Sequence, residues 1–172
     1  MDLRDRRKAL LGLALAIPFV GVGVYLLRPT DDEAAIRKAL DRLCAAVRVD
    51  PAESNPLARL ARVRSELSEI VSENVTVDIP DFPQVTSGRR PLADLATQAG
   101  LAYSEAEVAL SSVTMRMAPS KKSCAIDATA TLTGKGGAGP QREVRRVSLR
   151  VDVIDGNWRV ASIAVNARSN AP

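Results

Sequence analysis

Near residue 103 the spacing of apolar residues changes from about 3.6 to 2, and this switch limits the chain to helices followed by a run of strands. Strands are expected at about 105–117, 122–133, 142–154 and 158–165, antiparallel because their connections are short. In the second, Cys124, Ile126, Ala128, Ala130 and Leu132 share one face, opposite Asp127, Thr129, Thr131 and Thr133. In the third, Val147, Leu149, Val151 and Val153 oppose Arg146, Ser148, Arg150 and Asp152. One buried and one wetted face is what an antiparallel sheet covered by helices on one side requires. Asp155-Gly156-Asn157 reads as a tight hairpin turn.

Three helices precede the strands. Thr30-Asp31-Asp32-Glu33 is a capping box that opens the first, which carries Ile36, Ala39, Leu40, Leu43, Cys44 and Val47 on one stripe to about Arg48. Asn55-Pro56 starts the second, with Leu57, Leu60, Val63, Leu67, Ile70 and Val71 inward to about Glu73 and Arg59, Arg62, Glu66 and Glu69 outward. Asn74 ends it, and Val75, Val77 and Ile79 mark a short strand before Pro80-Asp81-Phe82-Pro83. Leu92, Leu95, Ala96 and Ala99 give a third helix from Arg90 to about Ala102.

Ahead of these, residues 9–27 hold nineteen positions without a charge. As a helix that is roughly 28 Å, close to the hydrocarbon thickness of a bilayer. Arg4, Arg6, Arg7 and Lys8 precede it and only Arg28 follows closely, which holds the basic segment 1–8 in the cytoplasm and sends the rest across. No small-residue cleavage site closes the segment, so it is expected to stay as a transmembrane anchor in a bacterial inner membrane. Ala9, Gly12, Ala16 and Gly23 fall within roughly 60° of one another at the helical repeat. Such a small-residue face suits close packing on a neighbouring membrane helix.

The net charge of +4 does not signal nucleic acid, because residues 1–28 carry five basic and two acidic side chains and the remainder nineteen and eighteen. Outside the anchor only Phe82, Tyr103 and Trp158 are aromatic, too few for base stacking. The chain has no histidine, which removes the commonest general base and metal ligand. Cys44 and Cys124 form no C-x-x-C pair, and the acidic residues show no calcium-loop spacing.

Ser87-Gly88-Arg89-Arg90-Pro91-Leu92 leads into the third helix, Val113-Thr114-Met115-Arg116-Met117 precedes Cys124-Ala125-Ile126-Asp127-Ala128-Thr129-Ala130-Thr131, and Gly156-Asn157-Trp158-Arg159-Val160-Ala161-Ser162-Ile163 closes the sheet. In these phrases, and in the order of its elements, the chain resembles the nuclear transport factor 2-like superfamily over residues 31–165. The resemblance implies an α+β cone fold, three helices on a curved four-stranded antiparallel sheet, with 166–172 as a polar tail. The superfamily mixes isomerases, cyclases, dehydratases and binding domains, so function stays open. Its pocket tyrosine, carboxylates and histidines do not carry over. The first helix lacks a tyrosine, and Asp78 sits on the polar face of its strand.

Tyr103 and Trp158 are candidates for a pocket rim, and Cys44 with Cys124 are a candidate disulfide on elements that pack together in that fold. Gly134-Lys135-Gly136-Gly137-Ala138-Gly139-Pro140 lacks phosphate-loop spacing and reads as a flexible hairpin tip. Arg142, Arg145, Arg146 and Arg150 form a basic stripe, either a solvated strand face or a surface for anionic lipid or an acidic partner. No residue is assigned a catalytic, metal or cofactor role. The expected protein is therefore a non-catalytic, membrane-anchored extracytoplasmic interaction or assembly subunit, touching the bilayer and a membrane-protein partner or a second copy. Its layout is similar to assembly subunits of type IV secretion systems and to membrane proteins associated with mammalian-cell-entry lipid transporters. Alternatives are a binding module for an apolar ligand or lipid in the cone, or an acid–base isomerase or dehydratase using Asp78, Asp81 or Glu105.

Overall fold

The computed structural model describes residues 31–53, 55–80, 86–137 and 139–166. The basic segment 1–8, the expected transmembrane helix 9–27 with its face of Ala9, Gly12, Ala16 and Gly23, the capping Thr30, Asp81 and all but the first residue of the polar tail lie outside them. Among the described residues no helix is long and apolar enough to cross a membrane.

Helix α1 spans Asp31–Val47, α2 spans Pro56–Ile70 and α3 spans Arg89–Ala102. At the start of α2 the Asn55 side chain accepts hydrogen bonds from the amides of Leu57 and Ala58, at 3.0 and 3.3 Å, and Pro56 occupies the first turn. That helix is shorter than its apolar spacing suggests. It stops at Ile70, and strand β1 (Val71–Asp78) begins with no intervening loop. Val71, Val75 and Val77 are β-branched and buried, and Val71 and Val77 pair with the last strand, so sheet pairing overrides the helical continuation to Glu73. The same direct passage joins α3 to β3 (Tyr103–Met117).

Strands β4 (Ser123–Gly136), β5 (Gly139–Ile154) and β6 (Asn157–Val165) complete the long antiparallel run, and Thr86–Ser87 forms a two-residue β2. The spatial order is β2-β1-β6-β5-β4-β3, with β1 parallel to β6. The sheet is thus six-stranded where four strands were expected, because β1 adds to its edge and carries β2. Ser112, at φ 51°, sits where the β3–β4 register shifts, a bulge that bends the long strand. Asp155 and Gly156 take φ of 52° and 77°, the left-handed pair that a two-residue hairpin needs.

Ile36 and Leu40 of α1, Val63 and Leu67 of α2, and Leu92 of α3 are buried with Ile126, Leu149, Val151 and Val160 of the sheet. Each such side chain contributes about 1.5–3 kcal/mol relative to exposure. The helix-facing side is therefore filled by aliphatic groups. Gly134 to Gly136 are not a loose tip. β4 runs through them, pairing Gly134 with Ala106 and Gly136 with Tyr103. Gly134 is buried because the Tyr103 ring lies over it; a Cβ there would stand 2.9 Å from Tyr103 Cδ1.

Candidate functional site

An arginine inside the domain defines the site. Arg59 was expected outside, yet it lies four residues before Val63 and eight before Leu67, on the same helical stripe, and its side chain is only 9% exposed. Leu57, expected within the core, is 76% exposed. Residues 57 and 59 differ by about 200° around a helix, so both cannot face the sheet, and the buried stripe of Val63, Leu67 and Ile70 takes in Arg59 instead of Leu57.

The loop after α1 supplies the partners. Val49 bridges to Ala106 by two backbone hydrogen bonds of 2.8 and 3.1 Å, which pins residues 50–53 beside the start of β3. Asp50 Oδ1 accepts from the Ala52 amide at 2.9 Å and folds the loop into a turn. Arg59 then donates from Nη2 to the carbonyl oxygens of Asp50 and Glu53, at 3.3 and 3.2 Å, and from Nε to Glu53 Oε2 at 3.4 Å. Arg62 grips the same carboxylate from Nε and Nη2 at 3.0 and 2.9 Å, and reaches the Ala46 carbonyl from Nη1 at 3.3 Å. Two guanidinium groups thus share one carboxylate.

Nη1 of Arg59 is left over. No described residue accepts a hydrogen bond from it, and it lies against Gly100 of α3, where a Cβ would come within 1.7 Å. Both residues line a cavity of about 340 Å³, with Asp50 and Glu53 on one side, Thr97, Tyr103 and Ser104 on another, and Pro51, Pro56 and Leu101 as apolar wall. The Tyr103 hydroxyl donates to Gln141 Oε1 at 3.2 Å and Ser104 Oγ to the Lys135 carbonyl at 2.9 Å, so both oxygens retain acceptor capacity. The room suits a small organic molecule.

The hydrogen bonds from Arg62, joined by those from Arg59, hold the Glu53 carboxyl below its ordinary range against the opposing effect of burial. A carboxylate lowered in the folded state stabilises fully above its unfolded value of about 4.3, and that gain is lost as pH falls through the folded value. Glu53→Gln is expected to flatten the pH dependence of the thermal midpoint between about pH 5 and 3. An unchanged slope in the variant would show that Glu53 is not the titrating group.

Tyr103 borders this cavity, whereas Trp158 pairs across from Val153 at the far end of β5 and packs on the core, so the two do not share a rim. Cys44 and Cys124 stand as two thiols instead of the expected disulfide: Cys124 is buried on β4, and Cys44 is half-buried on α1. Burial, then the neighbouring Asp41, pushes the Cys44 thiol up to about 11. Asp78 and Glu105 are exposed. The arginine stripe divides by pleat. Arg142, Arg146 and Arg150 stand on one face, while Arg145 pairs opposite Ala130 on the core-facing side and donates from Nε to Glu143 Oε1 at 2.6 Å. Among the described residues no three His, Cys, Asp or Glu side chains are grouped to hold a metal ion.

Solved structures share this architecture. A proposed aromatic ring hydroxylase from Novosphingobium aromaticivorans superposes with a TM-score of 0.63 at 14% identity, covering 81% of this chain and 90% of its own. The fold is that of the nuclear transport factor 2-like proteins. A superfamily member from Salmonella enterica serovar Typhimurium matches at 0.60 with 12% identity, over 77% of this chain and 89% of its own. A proposed scytalone dehydratase, again from Novosphingobium aromaticivorans, matches at 0.58 with 11% identity, over 78% and 83%. No family model and no curated protein matches the sequence. The expectation that the chain is not an enzyme is corrected here, since two of these cone-fold neighbours are named for catalysis. The missing histidine excluded one type of base and not the whole class.

Proposed function

We propose that this chain is a membrane-anchored extracytoplasmic protein whose cone-fold domain binds a small organic ligand beside Arg59. One observation carries the reading: a guanidinium, nine-tenths buried, presents a hydrogen-bonding edge with no described partner to a cavity of about 340 Å³. That edge opens on the cavity, where a ligand oxygen would take the place of water at a donor group the described residues leave unmatched. The aliphatic filling of the helix–sheet interior supports a site beside the cone instead of within it. The membrane placement rests on the uncharged residues 9–27 and the basic cluster before them, and membership of a membrane complex rests on the small-residue face.

Screening the full-length protein in detergent micelles by NMR against a library of small fragments tests the ligand reading. Bound fragments should shift the amides of Gly100, Leu101 and Tyr103. A folded protein in which no fragment moves those amides would end it. Phosphatase fused to the C-terminus should be active in cells, and a silent phosphatase beside a fluorescent green-protein fusion would reverse the topology.

Dehydratase or isomerase chemistry is a second reading, favoured by the Glu143 carboxylate on the core-facing side of β5 and by the name of the dehydratase neighbour. Loss of any measured turnover in Glu143→Gln, with the fold intact, would bring it forward. Unchanged turnover would remove it.

A further inference from the structure

We infer that the Arg59 cavity selects a ligand carrying an ammonium group next to a carbonyl oxygen, the chemistry shared by a free α-amino acid and a peptide N-terminus. The inference rests on the ligand-binding reading above and adds its chemical class. Charge is the first consideration. Glu53 is shared by Arg59, at 3.4 Å, and Arg62, and Asp50 acts on Arg62 as well, so two carboxylates face two guanidinium groups and no net positive charge is left to draw an anion. What remains of Arg59 is the Nη1 group with its two hydrogens. A forked, two-point grip on a carboxylate or phosphate is not available, because both Nη2 hydrogens go to the carbonyl oxygens of Asp50 and Glu53.

The second consideration is Asp50, which lines the same cavity. Its Oδ1 is engaged by the Ala52 amide at 2.9 Å, and its Oδ2 accepts no hydrogen bond from a described residue. The negative charge of Asp50 at the cavity disfavours a dianion and favours an ammonium group. A donor group and an acceptor group on the same cavity complement a molecule that carries both kinds. The carbonyl oxygen goes to Nη1 and the ammonium to Asp50, leaving a side chain against Pro51, Pro56 and Leu101. The cavity volume accommodates a residue of leucine size with room for the chain to continue outward.

Titrating the full-length protein in micelles with leucine, leucinamide, leucylglycine, N-acetylleucinamide and inorganic phosphate tests this, with the Gly100 and Tyr103 amides as reporters. Leucinamide and leucylglycine should bind at least about 10-fold more tightly than N-acetylleucinamide, which lacks the ammonium. Leucine outranking leucylglycine identifies a free amino acid as the source, and the reverse identifies a peptide end. Asp50→Asn keeps the Oδ1 acceptor for Ala52 and should erase the preference while fragments still bind. Equal binding of N-acetylleucinamide, or tighter binding of phosphate, overturns the chemical class and leaves the ligand reading standing. Fragments that fail to bind anywhere near Gly100 overturn both.

Discussion

Replacing Arg59 by alanine is expected to cost about 3 kcal/mol of folding stability, because it removes a buried charge partner and leaves two carbonyl oxygens without their donor. The guanidinium ties the loop carbonyls of Asp50 and Glu53 to α2, and with the Val49–Ala106 bridge it fixes residues 50–53 against β3. Without it the Glu53 carboxylate still has Arg62, so the loss falls on the carbonyls and on the wall of the cavity. Arg62→Ala should cost less, since that side chain is 36% exposed and water replaces part of what is lost. Urea unfolding of both variants checks the ranking. A loss below about 1 kcal/mol for Arg59→Ala would mean that the loop is held by other contacts.

Gly100→Ala should destabilise by about 2 kcal/mol, against the usual sign for such a change. In an ordinary helix interior, alanine in place of glycine gains up to about 1 kcal/mol. Here the new methyl would lie 1.7 Å from Arg59 Nη1 and 2.8 Å from its Cζ. The guanidinium is the end of a flexible side chain, but three hydrogen bonds anchor it, so yielding means giving up at least some of them. Thermal unfolding gives the sign directly. A raised midpoint would show that Arg59 can swing aside freely, and would weaken the case for a preorganised site. In the double variant with Arg59→Ala the penalty should vanish, because the two residues act through one contact.

Both predictions concern residues whose side chains meet only in three dimensions. The local elements were legible because they depend on spacing: the Asn55-Pro56 start, the turn at Asp155-Gly156, and the alternation along β4 and β5 each follow from short-range geometry. The resemblance to cone-fold proteins was likewise carried by local phrases, and the solved structures agree at the level of fold. The end of α2 was not legible. A helical pattern runs through Val71 in sequence, and only the pairing of Val71 with Val160 turns it to strand. Arg145 was placed with its basic neighbours until the pleat put it on the other face.

By itself the sequence determined the order of the helices and long strands, the apolar face of β4, and that the described domain has no histidine chemistry. Tertiary structure alone decided that an arginine would be buried. An ionised side chain enters an interior only where carbonyls, a carboxylate and a gap converge on it. Those came from Asp50, Glu53 and Gly100, on a loop and a helix that are brought together by folding and by no spacing in the chain.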